Sequence, residues 1–165
     1  MYLNKEKLFL VISICLIFFF LTYNDVKSQE PKIISGIAKV VDGDTIKIGK
    51  NRIRLFGIDA PEKKQQCQKP WLSIFFLTFN KSYKCGEIST NKLKIKINNK
   101  LVMCKSKNKD RYNRFLAECY KNKININKWM VSNGYAVAYK KYSKKFTSQE
   151  NLAKKEKLGI WAGTF

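Results

Sequence analysis

The chain has 165 residues and no histidine, and its 33 Lys and Arg outweigh 12 Asp and Glu for a net charge of +21. Hydrolytic designs built on imidazole as general base or metal ligand are therefore excluded, which leaves carboxylate, carbonyl and guanidinium chemistry. The charge favours a polyanionic partner, because neutralising phosphates releases counterions, but a Lys-, Asn- and Ile-rich composition also merely solvates a surface.

Leu8 to Tyr23 is an almost wholly apolar run of 16 residues behind Lys5 and Lys7. It is short for a bilayer span of ~20 residues and reads as a signal peptide over residues 1–28, with Val26 and Ser28 permitting cleavage before Gln29. The alternative is a retained anchor that tethers the protein to a membrane through residues 8–23. Either way, residues 29–165 are expected to be exported and to form one monomeric domain that keeps nearly all of the charge.

From Ile33 the pattern predicts a meander of three strands, Ile33 to Val41, Asp44 to Gly49 and Arg52 to Ile58, with a tight turn at Gly49-Lys50-Asn51. Residues 63–84 then read as a long loop whose aromatic residues Trp71, Phe75, Phe76 and Phe79 pack locally on the barrel. Outside the export segment, which holds Cys15, four cysteines remain: Cys67, Cys85, Cys104 and Cys119. An even number in an exported chain predicts two disulfides. Of three connectivities, Cys67 with Cys85 and Cys104 with Cys119 is favoured, since each pair closes a short loop worth ~3 kcal/mol.

Residues 91–99 (NKLKIKINN) alternate and locally suggest a strand. Apolar runs at Leu101 to Cys104 and Phe115 to Tyr120 read as further strands. Two helices close the chain: Ile126 to Asn133, stopped by Gly134, and Ser148 to Lys157, opened by a Thr147–Glu150 capping box and stopped by Gly159. Trp129, Met130, Leu152 and Trp161 would pack these helices on the strands. Short strands, a Gly-rich meander and late helices suggest an α+β, mainly β fold built on a small, partly open β-barrel of the OB type.

Three charged clusters stand at strand ends: Asp42-Gly43-Asp44-Thr45, then Arg54 with Asp59-Ala60-Pro61-Glu62, then Asp110-Arg111-Tyr112-Asn113-Arg114. An aspartate-rich turn alone says little, but hard oxygen ligands gathered beside arginines suit a calcium-assisted attack on phosphate. The ordered motifs DGDT, RLFGIDAPE, DRYNR, GYAVAY and KKEKLGIW resemble the staphylococcal nuclease (thermonuclease) family over about residues 33–161.

That resemblance implies a five-stranded OB-fold barrel with about three helices, and a calcium-dependent phosphodiesterase that cuts DNA and RNA and leaves 3′-phosphates. It places Asp44, Asp59 and the main-chain carbonyl of Ala60 as Ca2+ ligands, with Asp42 behind them. Ala60 stands where better-known members carry threonine, an exchange that a carbonyl ligand tolerates. Arg54 and Arg114 match the pair that grips the scissile phosphate, and Glu62 matches the residue that activates water. Arg111, Tyr112 and Tyr139 match nucleotide-binding positions, although Asn113 replaces a common glycine and KKYSKK after Tyr139 departs in spacing. The family also places a helix between Gly86 and Asn98, and that expectation takes precedence over the local alternation. The rival reading is a barrel of the same fold that binds nucleic acid without cutting it.

Overall fold

The computed structural model describes residues 5–23 and 30–163, in two units that divide after Glu30. In the first unit, α1 spans Lys5–Tyr23. Among the described residues, no helix is long and apolar enough to cross a membrane. Val26 and Ser28, on which the cleavage expectation rests, lie outside the described residues.

The second unit is built on a five-stranded barrel. Strands β1 (Lys32–Val40), β2 (Thr45–Ile48) and β3 (Asn51–Leu55) form the expected meander. The β2–β3 turn is Gly49-Lys50, where Gly49 has the left-handed φ of 56° that favours glycine. The third predicted strand is broken at Phe56-Gly57, where Gly57 at φ 76° turns the chain into a separate two-residue strand, β4 (Ile58–Asp59).

Further along the chain come β5 (Cys67–Ile74), β6 (Leu77–Tyr83), helix α2 (Cys85–Ile97), β7 (Leu101–Lys109) and β8 (Phe115–Lys121). β7 pairs antiparallel with β1 and β8, and β8 closes the barrel by pairing parallel with β3, Ile53 opposite Phe115. Alternate residues turn inward: on β7, Val102, Cys104 and Ser106 are buried while their neighbours are exposed. Ile46, Ile53, Leu55, Val102 and the helix residues Leu93, Ile97, Ile126 and Met130 form one sealed core.

Residues 85–97 form a helix, as the family resemblance implied and local alternation did not. Leu93 and Ile97, four apart, are buried, whereas Ile95 between them is 70% exposed. The strand-like pattern therefore arose from one isoleucine that faces solvent. Asn98 ends the helix in the left-handed region, its N–H returning to the carbonyl of Lys94.

Residues 67–83 correct the loop expectation. β5 and β6 pair with each other as an antiparallel hairpin rather than with the barrel. Their aromatic residues do not pack on it: Trp71 is 69% exposed, Phe75 98% and Phe76 92%. Only the base is fixed, by a small second core of Cys67, Cys85 and Ile160 against Tyr83, Val137 and Trp161. Both disulfides join the favoured pairs, Cys67–Cys85 at that base and Cys104–Cys119 across directly opposed residues of β7 and β8. They fit an extracellular or periplasmic location.

After the short β9 (Ile124–Asn125), α3 (Ile126–Ser132) starts on Asn125, whose side chain accepts from Lys128 N at 2.9 Å. Gly134, at φ 67°, ends it as expected. β10 (Val137–Ala138) then pairs with β4, and α4 (Thr147–Lys155) and a 3-10 turn (Gly159–Ala162) finish the fold. The predicted capping box is absent. Thr147 already lies inside α4 with its hydroxyl buried and unbonded, and Glu150 turns inward to accept from Ala138 N and pair with Lys140 and Lys154. The inward demand of β10 for an acceptor outcompetes the helix end. Leu152 faces solvent rather than the barrel, while Met130 is buried and Trp129 packs at the edge of the core.

Candidate active site

Position 44 directly precedes β2, and register pairs its neighbour Thr45 with Arg54 on β3. This pairing sets the Asp44 carboxylate beside the guanidinium. Arg54 Nη1 donates to Asp44 Oδ1 at 3.0 Å, and Nη2 donates to Asp59 Oδ1 at 2.5 Å. One planar fork thus spans both carboxylates, a geometry that lysine cannot reproduce. Asp44 also accepts from the Thr45 hydroxyl and, at 3.3 Å, from Ala60 N, so Ala60 sits against it. Asp42 lies behind, its Oδ1 accepting from Asp44 N at 3.1 Å.

The electrostatics of this cluster are uneven. Asp44 is buried, and that burial pushes its pKa up to about 7, against the pull of Arg54 and with the help of the Asp42 charge. Burial also works against the Arg54 charge, but Asp44 and Asp59 outweigh it and hold the guanidinium pKa above its usual value. Asp44 and Asp59, both bonded by Arg54, are the oxygen donors here that could hold a hard cation. Among the described residues, no three His, Cys, Asp or Glu side chains converge, so further ligands would be carbonyl and solvent oxygens.

Arg114 comes from the other side of the barrel seam. It immediately precedes Phe115, the partner of Ile53 in the β3–β8 pairing, so it stands diagonally across the closure from Arg54, whose direct partner is Leu116. The loop between β7 and β8 is organised by Asp110. Its Oδ1 accepts from Tyr112 N and Arg114 N, both at 2.9 Å, and its Oδ2 from Arg114 Nε at 2.7 Å. Burial opposes the Asp110 charge, yet these bonds from Arg114 and Tyr112 hold its carboxyl below the usual range. Asn113 meets the backbone demand of this loop at φ 61°, a left-handed position that asparagine tolerates.

Arg54 and Arg114 line one cleft of about 620 Å3 with Arg111, Tyr112 and Tyr139. The Arg111 and Arg114 guanidinium groups lie 5.0 and 5.4 Å from the Tyr112 ring centre. Tyr139 is delivered by β10, its N–H bonded to Gly57 O at 3.0 Å, and meets Tyr142 edge-on at 5.0 Å. Sequence reasoning missed Lys109, Lys141 and Tyr142 on the cleft wall and the organising role of Asp110. Only the aspartate carried a signal, a charged residue at the start of DRYNR.

Glu62 stands apart. Its side chain is exposed and makes no ion pair or hydrogen bond among the described residues, while its backbone is tied to Gln65, which donates its N–H to Glu62 O at 2.7 Å and accepts from Glu62 N through its side chain at 3.1 Å; Gly86 N of α2 in turn donates to Gln65 O at 3.2 Å. A Cβ at Gly86 would come within 1.7 Å of Glu62 O, so the close approach of that helix requires glycine.

The profile of the family described as Staphylococcal nuclease homologue matches residues 52–163. A protein of Rhizobium meliloti named succinoglycan biosynthesis protein ExoI is 32% identical over 141 residues, 84% of this chain and 69% of that one. An uncharacterized endonuclease of Escherichia coli O157:H7 is 32% identical over 133 residues, 76% of this chain and 75% of that one. Another from Haemophilus influenzae is 37% identical over 134 residues, 76% of this chain and 65% of that one. The chain belongs to the staphylococcal nuclease family and is a nuclease hydrolase.

Proposed function

We propose that this staphylococcal nuclease family member is an exported, calcium-dependent phosphodiesterase that hydrolyses DNA, RNA or both, leaving 3′-phosphates. The observation that carries the reading is the seam geometry: Arg54 and Arg114, distant in sequence, line one cleft, and Arg54 forks over Asp44 and Asp59.

Asp44, Asp59 and the Ala60 carbonyl would hold Ca2+, with Asp42 supporting Asp44 from behind. Bound there, the cation supplies charge that favours ionisation of water and offsets that of the phosphate. Arg54 and Arg114 bond the non-bridging phosphate oxygens, where negative charge grows as the attacking oxygen adds. Glu62, engaged by no cationic side chain, accepts the proton of the attacking water. Arg111 holds a neighbouring phosphate, and Tyr112 and Tyr139 offer sequence-tolerant faces to the nucleotide. Export through the N-terminal segment accords with two disulfides in the folded unit.

The test is cleavage of single-stranded DNA by the oxidised protein with calcium and then with chelator, beside Asp44→Ala, Arg54→Ala and Glu62→Ala. Cutting should require calcium and fall by at least two orders of magnitude in each variant. Binding without cutting in the wild type would replace this reading with a non-catalytic nucleic-acid-binding barrel.

A further inference from the structure

The outer half of the β5–β6 hairpin contributes neither to the barrel core nor to the cleft. Register pairs Leu72 with Phe79 and Ile74 with Leu77, and Phe75-Phe76 form the two-residue turn between them. The outer half, Trp71 to Phe79, contains no charged residue. Its apolar side chains are open to solvent, from 42% at Leu72 to 98% at Phe75. Phe75 holds the turn at φ 52°, a conformation for which glycine or asparagine is the ordinary choice, so a bulky aromatic is kept there against backbone preference.

The inner half is cationic. Lys69 pairs directly with Lys81, a like-charge juxtaposition that destabilises a hairpin, and neither forms an ion pair among the described residues. Lys63 and Lys64 follow at the base. The Cys67–Cys85 disulfide and the Ser82 to Gln66 hydrogen bond at 2.6 Å fix that base, so the arm is held out by its root.

We propose that this hairpin is a membrane-surface anchor: its apolar tip enters the interfacial layer of a bilayer containing anionic lipid, with Lys69 and Lys81 at the headgroups. The reading is independent of the catalytic one. From Trp71 to Phe75 a strand reaches about 13 Å at ~3.3 Å per residue, which suits interfacial burial of roughly 5–10 Å. Full insertion would strand the unpaired strand edges in hydrocarbon, so the tip lodges at the interface, where aromatic side chains concentrate. The lysine collar and the net charge of +21 complement anionic headgroups.

A nucleic-acid platform would interleave cations with its aromatic residues, and the outer half has none. A second copy would bring its own large positive charge to the same surface.

The test uses the full oxidised chain with vesicles of phosphatidylcholine alone or mixed with phosphatidylglycerol, brominated on the acyl chains. Binding is read by sedimentation and insertion by tryptophan quenching. The apolar segment Leu8 to Tyr23 has no tryptophan, so quenching reports on the other unit, where Trp71 is the exposed tryptophan. Wild type should bind the mixed vesicles and be quenched, and W71F should lose most of the quenching.

F75S/F76S should reduce acyl-chain quenching of Trp71 at least tenfold while leaving near-ultraviolet circular dichroism and cutting of soluble DNA unchanged. K69E/K81E should reduce binding to the mixed vesicles alone. Equal quenching of F75S/F76S and wild type would overturn the proposal, as would vesicle binding without quenching of Trp71. Two alternatives would also overturn it: dimers dispersed by F75S/F76S without vesicle binding, or a loss confined to DNA affinity.

Discussion

Replacing Asp110 by asparagine separates what holds the β7–β8 loop from what aims Arg114. In the native protein one oxygen of Asp110 accepts two backbone N–H groups at 2.9 Å and the other accepts Arg114 Nε at 2.7 Å. Asparagine keeps an oxygen for the backbone but turns an amide donor toward the guanidinium. The lost charge-assisted bond is worth about 1.5–3 kcal/mol, while the two backbone bonds are kept by the amide oxygen. At this chain length a net loss of about 2 kcal/mol lowers Tm by roughly 4–8 °C in calorimetry.

The Asp110 pKa lies lower in the folded than in the unfolded chain. Its contribution is therefore fully present above the unfolded value near 4 and vanishes as pH falls through the folded one. The stability gap between wild type and D110N should accordingly close on acidification from pH 6 to 2. Because Arg114 is freed rather than removed, kcat should fall about 10- to 100-fold with KM less affected. A D110N protein with unchanged Tm and kcat would refute the claim that this carboxylate sets the arginine, and a gap that widens in acid would refute its electrostatic basis.

Asn127 is fully buried and donates to Phe56 O and Ala117 O while accepting from Cys119 N, so Asn127→Ala strands three polar groups and should cost about 3–4 kcal/mol in urea unfolding. Ile97→Ala should cost about 2–4 kcal/mol by the same measurement, whereas Ile95→Lys should change stability by under about 0.5 kcal/mol; equal effects would argue against the observed helix face. Removing the Cys67–Cys85 bond as C67S/C85S should cost about 3 kcal/mol and expose the hairpin base to limited proteolysis before the barrel unfolds.

The barrel was legible because its signals agree at short range. The meander alternates, Gly49 marks its turn, and paired half-buried strands leave few alternatives. Residues 63–84 were not legible, since an apolar run beside a disulfide ordinarily means packing, and nothing local distinguishes an aromatic residue that packs from one held out in solvent. The capping box failed for a related reason. Thr147 and Glu150 have the right spacing, but a buried strand end at Ala138 takes the carboxylate, and such a tertiary competitor leaves no mark on the sequence around the helix.

The same distinction explains why the charged clusters suggested chemistry without showing a site. Asp44, Arg54 and Asp59 come together through one hairpin and the turn after it, contacts that a sequence reader can anticipate. Arg114 joins them only because β8 pairs parallel with β3, and parallel closure is long-range and silent in local pattern. Resemblance to a family supplied that link before the structure did. The two arginines consequently depend on barrel closure itself, so a substitution that opens the β3–β8 seam should abolish cutting before it unfolds the meander. Leu55, buried on β3 opposite Ala117, is the place to try it: Leu55→Ala should lose activity at a lower urea concentration than it loses the far-ultraviolet signal, and coincident transitions would show that seam and meander form one cooperative unit.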